Sequence, residues 1–182
     1  MKDKTRRTVL TGMLCALAYT TAVVGRVPMV LFLKYDPKDV VIAAGGLLFG
    51  PLTALATAVT ASLLEMLTVS ENGILGCFMN IISSCSFACT AAIIHQRRRT
   101  VRGAALGLFC GWGCMVAVML FWNYLIAPVY MGCSREAVLA LMLPAFLPFN
   151  LMKGGLNMAV TLLLYRPVTK LAARWDSGAF HN

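Results

Sequence analysis

The chain has 182 residues, of which 59% are hydrophobic and 13% charged, with a net charge of +9. A soluble domain carries about a quarter of its residues as Asp, Glu, Lys and Arg, so water is excluded as the solvent for most of this surface, and a lipid bilayer fits. The positive charge does not mark a nucleic-acid binder, because the basic residues lie between and beyond the apolar runs rather than along one helix face.

A membrane-crossing helix needs about 20 mostly apolar residues. The runs predict an all-α fold, a single membrane domain over 1–182 built from six transmembrane helices at 8–25, 39–50, 51–69, 73–95, 103–128 and 137–166. Lys2, Lys4, Arg6 and Arg7 precede the first span and place the N-terminus in the cytoplasm by the positive-inside rule. Ala16-Leu17-Ala18 resembles a signal-peptidase site, but the apolar run continues to Gly25, so the helix is read as retained. Gly12-x-x-x-Ala16 and Ala18-x-x-x-Ala22 are small-residue pairs that let a second helix approach closely, either in a partner or within the bundle.

The following stretch, Val27 to Asp39, is apolar for an external loop, and Asp36-Pro37 is a turn signal. It reads as a lid or a re-entrant spacer, with Lys34, Asp36, Lys38 and Asp39 as loop charges. The run 39–69 is broken at Phe49-Gly50-Pro51, where proline removes a backbone donor and glycine permits a tight turn. Two spans there, not one, put Arg97, Arg98, Arg99 and Arg102 on the same side as the N-terminus, and the tail with Arg166, Lys170 and Arg174 follows. Both termini are therefore cytoplasmic.

An ionisable side chain within a span costs roughly 2.5–3.5 kcal/mol on insertion scales and marks a functional candidate. Glu65 lies near the external end of the third span. Asn80, Ser83, Ser84 and Ser86 add polar atoms to the fourth, where hydroxyls often bond their own helix. The fifth ends Phe121-Trp122-Asn123-Tyr124; an interfacial aromatic belt accounts for Trp122 and Tyr124 but not for Asn123. In the last span Asn150, Lys153 and Asn157 share one helix face beside Phe149, just after Pro144 and Pro148, which cap or kink the helix. An amide and an ammonium converging there form either a polar ligand grip or internal glue, with Lys153 paired to Glu65 or to a carbonyl.

Six of the seven cysteines lie inside apolar runs, and Cys85/Cys89 and Cys110/Cys114 read as soft packing residues; no metal site is predicted. No Gly-x-x-x-x-Gly-Lys-Ser/Thr loop, His-Glu-x-x-His or Gly-x-Ser-x-Gly occurs, so the chain is not its own ATPase and no enzyme is predicted. His95 and His181 stand apart from the polar cluster.

Lys34-Tyr35-Asp36-Pro37-x-Asp39, Gly50-Pro51, Met79-Asn80, Asn123-Tyr124, Pro128-x-Tyr130-x-Gly132 and Pro148-Phe149-Asn150-x-x-Lys153-Gly154 occur in this order along the chain. In these residues it resembles the substrate-binding (S) subunits of energy-coupling factor (ECF) vitamin transporters, in particular the riboflavin-binding branch. The resemblance implies a multi-pass protein of the cell membrane that binds riboflavin from outside as cargo, with no cofactor. It implies association with a transmembrane coupling subunit and two ATPase subunits, and it gives Gly12, Ala16, Ala18 and Ala22 a use as the docking face. It also implies that Asn123, Asn150 and Lys153 hydrogen-bond the flavin, and that Tyr35 and Asp36 belong to the closing loop. Asn80, Trp122, Tyr124, Phe149 and Asn157 complete the candidate site. Thr53-Ala54 departs from the family pattern, and Glu65 has no family role. The competing readings are an S subunit for another vitamin or planar molecule, an intramembrane enzyme using Lys153 and Glu65 as an acid–base pair, and a ligand-free scaffold.

Overall fold

The computed structural model describes residues 2–25, 27–30, 33–69, 73–132 and 134–178; Arg26, Glu71, Cys133 and His181 lie outside the described residues. The order is α1 (Lys2–Val24), β1 (Val27–Val30), β2 (Leu33–Tyr35), α2 (Lys38–Phe49), α3 (Pro51–Thr68), α4 (Gly73–Arg97), α5 (Val101–Met131), α6 (Arg135–Leu141), a π-helical turn (Met142–Phe146) and α7 (Leu147–Gly178).

The bundle is helical as predicted. The departure is the antiparallel hairpin β1–β2, which pairs Val27 with Tyr35 and Val30 with Leu33, with an irregular register after Pro28. Proline cannot donate to a ladder, and the pairing slips beside it. The hairpin fills part of the stretch read as a lid or spacer.

Helix ends follow local chemistry. Gly50 separates α2 from α3 at φ +102°, a conformation that glycine adopts without steric cost, and Pro51 opens α3 where its missing N–H is not needed. The Thr100 hydroxyl accepts from the Gly103 backbone N–H at 3.0 Å and caps α5. Gly132, left-handed at φ +63°, ends it. Pro128 sits inside α5 without ending it. The kink expected from Pro144 and Pro148 takes the form of the π-helical turn between α6 and α7. Proline at 148 has no N–H for the carbonyl of residue 144, and a wider turn absorbs the missing bond.

Polarity is arranged for lipid. Leu52, Leu163, Leu67 and Leu143 stand exposed on the outside, while Lys38, Asp39, Glu65 and Lys153 are buried. Helices α3, α4, α5 and the α6–α7 rod are long and apolar enough to cross a membrane. The apolar part of α1, Thr8–Val24, is shorter. Helix α2 has 12 residues, about 18 Å of rise against a hydrocarbon core of about 30 Å. The chain is a membrane protein.

Helix α4 is central, packing against α2, α3 and α5, while α7 lies against α2 and α5. The α4–α5 seam is close because α5 presents glycine. A Cβ built on Gly111 would stand 2.4 Å from the Phe87 carbonyl oxygen, and one on Gly107 2.6 Å from that of Ala91. Small residues at such seams replace the hydrophobic driving force that lipid does not supply.

Candidate functional site

The site grows from the turn that starts α2. Asp36 Oδ1 accepts the Lys38 backbone N–H at 3.1 Å, and Pro37 at φ −74° leads directly into the helix. The turn brings Lys38 and Asp39 inward, and both are 0% exposed. This corrects the reading of these two residues as charges of an exposed loop. A charge at the edge of an apolar run looks like a loop charge in the sequence. Burial is tolerated here because each finds an opposite charge.

Lys38 Nζ pairs with Glu65 and, at 3.0 Å, with Asp36. Glu65 also accepts from Asn80 Nδ2 at 3.4 Å. Lys153 Nζ lies 3.2 Å from Asp39 Oδ2 and donates to Ser83 Oγ at 3.4 Å. The counter-charge of Lys153 is therefore Asp39, not Glu65 as one sequence reading had it, and the two residues of the postulated acid–base pair sit in separate ion pairs. The remaining polar groups close around Asp39. Ser84 donates its hydroxyl to Oδ1, and Asn157 Nδ2 donates to Oδ2 at 3.3 Å. Asn157 Oδ1 in turn accepts the Tyr35 hydroxyl at 2.8 Å. Burial, followed by the nearby Asp39 and Asp36 carboxylates, pushes the Tyr35 phenol up to about 12, so it is a donor throughout the neutral range.

The shared face of α7 is real: Asn150, Lys153 and Asn157 are all buried. Asn150 Nδ2 donates to the Phe146 carbonyl at 2.7 Å, where the π-helical turn meets α7. Asn123 on α5 is buried as well, and Trp122 and Tyr124 are half-buried. Phe149 packs with Ala127, Val138 and Phe146, and Trp122 lies against the main core, so packing employs both.

Serines 83 and 84 were read as candidates for bonding their own helix. Only Ser86 does so, to Ile82 O at 2.6 Å, while Ser83 and Ser84 reach across to Lys153 and Asp39. Asp39 and Lys38 were the missed residues. The available signal was the need of a buried lysine for a carboxylate together with the two acids spaced three apart in Asp36-Pro37-x-Asp39.

The small-residue face of α1 divides in two. Ala18 and Ala22 are buried against the bundle, whereas Gly12 and Ala16 face outward, with nothing within 4 Å of a Cβ on Gly12. At 100° per residue the two pairs lie roughly 120° apart, so they never formed one surface. His95, at the far end of α4, meets Tyr165 with ring centroids 5.4 Å apart.

In sum of chemistry, α2, α4 and α7 enclose a fixed cation, a carboxylate and amides in surroundings of low dielectric.

Comparison with known proteins gives the family. Residues 6–165 match the family described as ECF transporter, substrate-specific component. Riboflavin transporter RibU of Staphylococcus aureus (strain TCH60) is 27% identical over 180 residues, 94% of this chain and 95% of that one. Riboflavin transporter FmnP of Bacillus subtilis (strain 168) is 28% identical over 143 residues, 74% of this chain and 75% of that one. The solved structure of the S component of a bacterial ECF transporter superposes with a TM-score of 0.78 at 26% identity, covering 93% of this chain and 98% of that one. This chain belongs to the substrate-specific components of ECF transporters.

Proposed function

We propose that this S component binds riboflavin from the outside through Lys153, Asn150 and Asn123, in a bundle that crosses the membrane six times with both termini in the cytoplasm. The observation that carries the reading is the buried face of α7, where Lys153 is held by Asp39 and Ser83 between Asn150 and Asn157. The two curated relatives are riboflavin transporters. Riboflavin carries no phosphate, and its ring edge alternates carbonyls with an N–H. An ammonium whose charge is already met by a carboxylate suits such a ligand: two of its three donors are used, and the third serves a carbonyl or ring nitrogen. The Asn150 oxygen can accept from the ring N–H while its Nδ2 stays on the Phe146 carbonyl. Among Trp122, Tyr124 and Phe149 we assign the partner of the flavin ring, where stacking contributes about 0.5–1.5 kcal/mol per good pair. Tyr35 and Asp36, on the hairpin and the α2 turn, form the cover.

The topology rests on charge. With Lys38 inside an ion pair, the external side carries Arg26, Lys34 and Arg135 against the Arg97–Arg102 cluster and both termini on the other. The outward Gly12–Ala16 stripe of α1 serves as the docking face for a transmembrane coupling subunit, which works with two ATPase subunits. A phosphate-binding loop of this chain's own is then not needed.

The test is purification from flavin-producing cells followed by fluorescence titration. The protein should emerge yellow and quench riboflavin fluorescence, and Lys153→Met should weaken binding roughly ten- to a hundredfold through loss of one charge-assisted hydrogen bond. A colourless protein that leaves riboflavin fluorescence unchanged refutes the ligand assignment and returns the choice to another vitamin of similar shape.

A further inference from the structure

Asp39 stands outside the binding set proposed above, yet three polar side chains from two helices converge on it. It is fully buried in the first turn of α2 and reaches both helices that face it, through Ser84 on α4 and through Lys153 and Asn157 on α7. We propose that Asp39 is the positioning residue of the ligand site, one carboxylate that fixes the Lys153 ammonium and, through the Asn157 amide, the Tyr35 hydroxyl beneath the hairpin. Its binding arm rests on the riboflavin reading; its structural arm does not.

The argument is one of donor and acceptor polarity. An ionised carboxylate only accepts, so the Asn157 amide must present Nδ2 to Asp39. Its oxygen then points the other way, and the group found there is the Tyr35 hydroxyl at 2.8 Å. The direction of the Tyr35–Asn157 bond from the hairpin to α7 is thus set by the charge state of one residue. The same charge holds Lys153 beside Ser83. Without it the ammonium would be buried without the carboxylate that pairs with it, which a low-dielectric interior penalises heavily. An asparagine at 39 keeps the shape but offers both a donor and an acceptor. The Asn157 amide is then free to turn over, and Lys153 loses its counter-charge.

Two measurements on the purified full chain test this. Riboflavin affinity is read for wild type, Asp39→Asn, Lys153→Met and the double variant. Hydrogen exchange of the backbone amides between Val27 and Tyr35 is read without ligand for wild type, Asp39→Asn and Tyr35→Phe. If Asp39 acts through Lys153, Asp39→Asn weakens binding roughly tenfold in the wild-type background and less than about twofold once Lys153 is methionine. Hairpin exchange should speed up in Asp39→Asn as it does in Tyr35→Phe. Equal losses in both backgrounds, or hairpin exchange unchanged in Asp39→Asn, overturns the proposal. Should Asp39→Asn not fold, Ser84→Ala removes one support of the carboxylate and is read in the same two backgrounds with the same criterion. A wild type that binds no riboflavin defeats the ligand assignment, and the exchange comparison then decides the role of Asp39 by itself.

Discussion

Replacing Gly111 by alanine tests how the scaffold holds the polar groups of α4 against those of α5 and α7. A Cβ at this position would stand 2.4 Å from the Phe87 carbonyl oxygen, a backbone atom that cannot turn aside as a side chain would. The closest comfortable carbon–oxygen approach is about 3.3 Å, so the two helices must separate locally by roughly 0.9 Å. Overpacking of this kind costs about 1–3 kcal/mol, partly offset by the 0.5–1 kcal/mol that alanine gains over glycine in a helix interior. The net loss is on the order of 1–2 kcal/mol, which lowers the unfolding temperature by roughly 2–8 °C for a chain of this size. Gly113 is the control, two residues along the same helix, with nothing within 4 Å of its Cβ position. Gly113→Ala should hold or raise the unfolding temperature. Thermal unfolding in detergent, followed by intrinsic fluorescence, reads both. A Gly111→Ala protein as stable as Gly113→Ala would refute the claim that backbone contact sets the α4–α5 spacing.

Three further outcomes follow from the same structure. The Tyr35 phenol is raised from 10 to about 12, so the folded state favours its protonated form; its contribution to stability is complete below pH 10 and falls as pH rises toward 12. Tyr35→Phe should therefore remove part of the alkaline loss in a pH series of unfolding temperatures, and an identical series in both proteins counts against a buried, hydrogen-bonded phenol. Gly12→Leu and Ala16→Leu should leave the monomer folded and abolish co-purification with a coupling subunit, whereas Ala18→Leu and Ala22→Leu should destabilise the bundle itself, since both are buried; the reverse pattern would move the docking face elsewhere. Lys38→Met should cost about 3–5 kcal/mol by leaving Glu65 without its ammonium, and adding Glu65→Gln should recover part of it, as read by denaturation in mixed micelles; a double variant no better than the single one would show that Glu65 does not depend on Lys38.

The helical bundle was legible because hydrophobic run length and breaker residues act locally. Phe49-Gly50-Pro51 divides α2 from α3 where glycine at positive φ and proline at the first helical position predict it. Gly132 ends α5, and the proline pair before Asn150 distorts the last helix. The inward face carrying Asn150, Lys153 and Asn157 was legible because spacing on a helix fixes direction. Less visible was anything that depends on which residues meet across helices. The partners of Lys153 and Glu65 are set by the depth at which the α2 turn delivers Lys38 and Asp39, and one turn of helix decides whether those charges sit outside or within. The two α1 pairs show the same limit: Gly12-x-x-x-Ala16 and Ala18-x-x-x-Ala22 are equivalent motifs, and only packing separates the buried pair from the open one.

The short α2 ties these points together. A helix of 12 residues does not match the bilayer thickness by itself, and its first turn carries two charges, at positions where a lipid-facing helix would carry none. Both features have one physical resolution. The helix starts inside the bundle, pinned by Lys38 to α3 and by Asp39 to α4 and α7, and the hairpin supplies the chain above it. Lipid then contacts neither charge, because the surrounding helices do. Removing the charges pairwise would ease the insertion of α2 into lipid, but it would also remove what fixes Lys153 and the hairpin. The ionic network is thus better understood as a device that fixes the position of the Lys153 ammonium than as a source of stability, since a well-packed apolar replacement is often as stable as a buried ion pair.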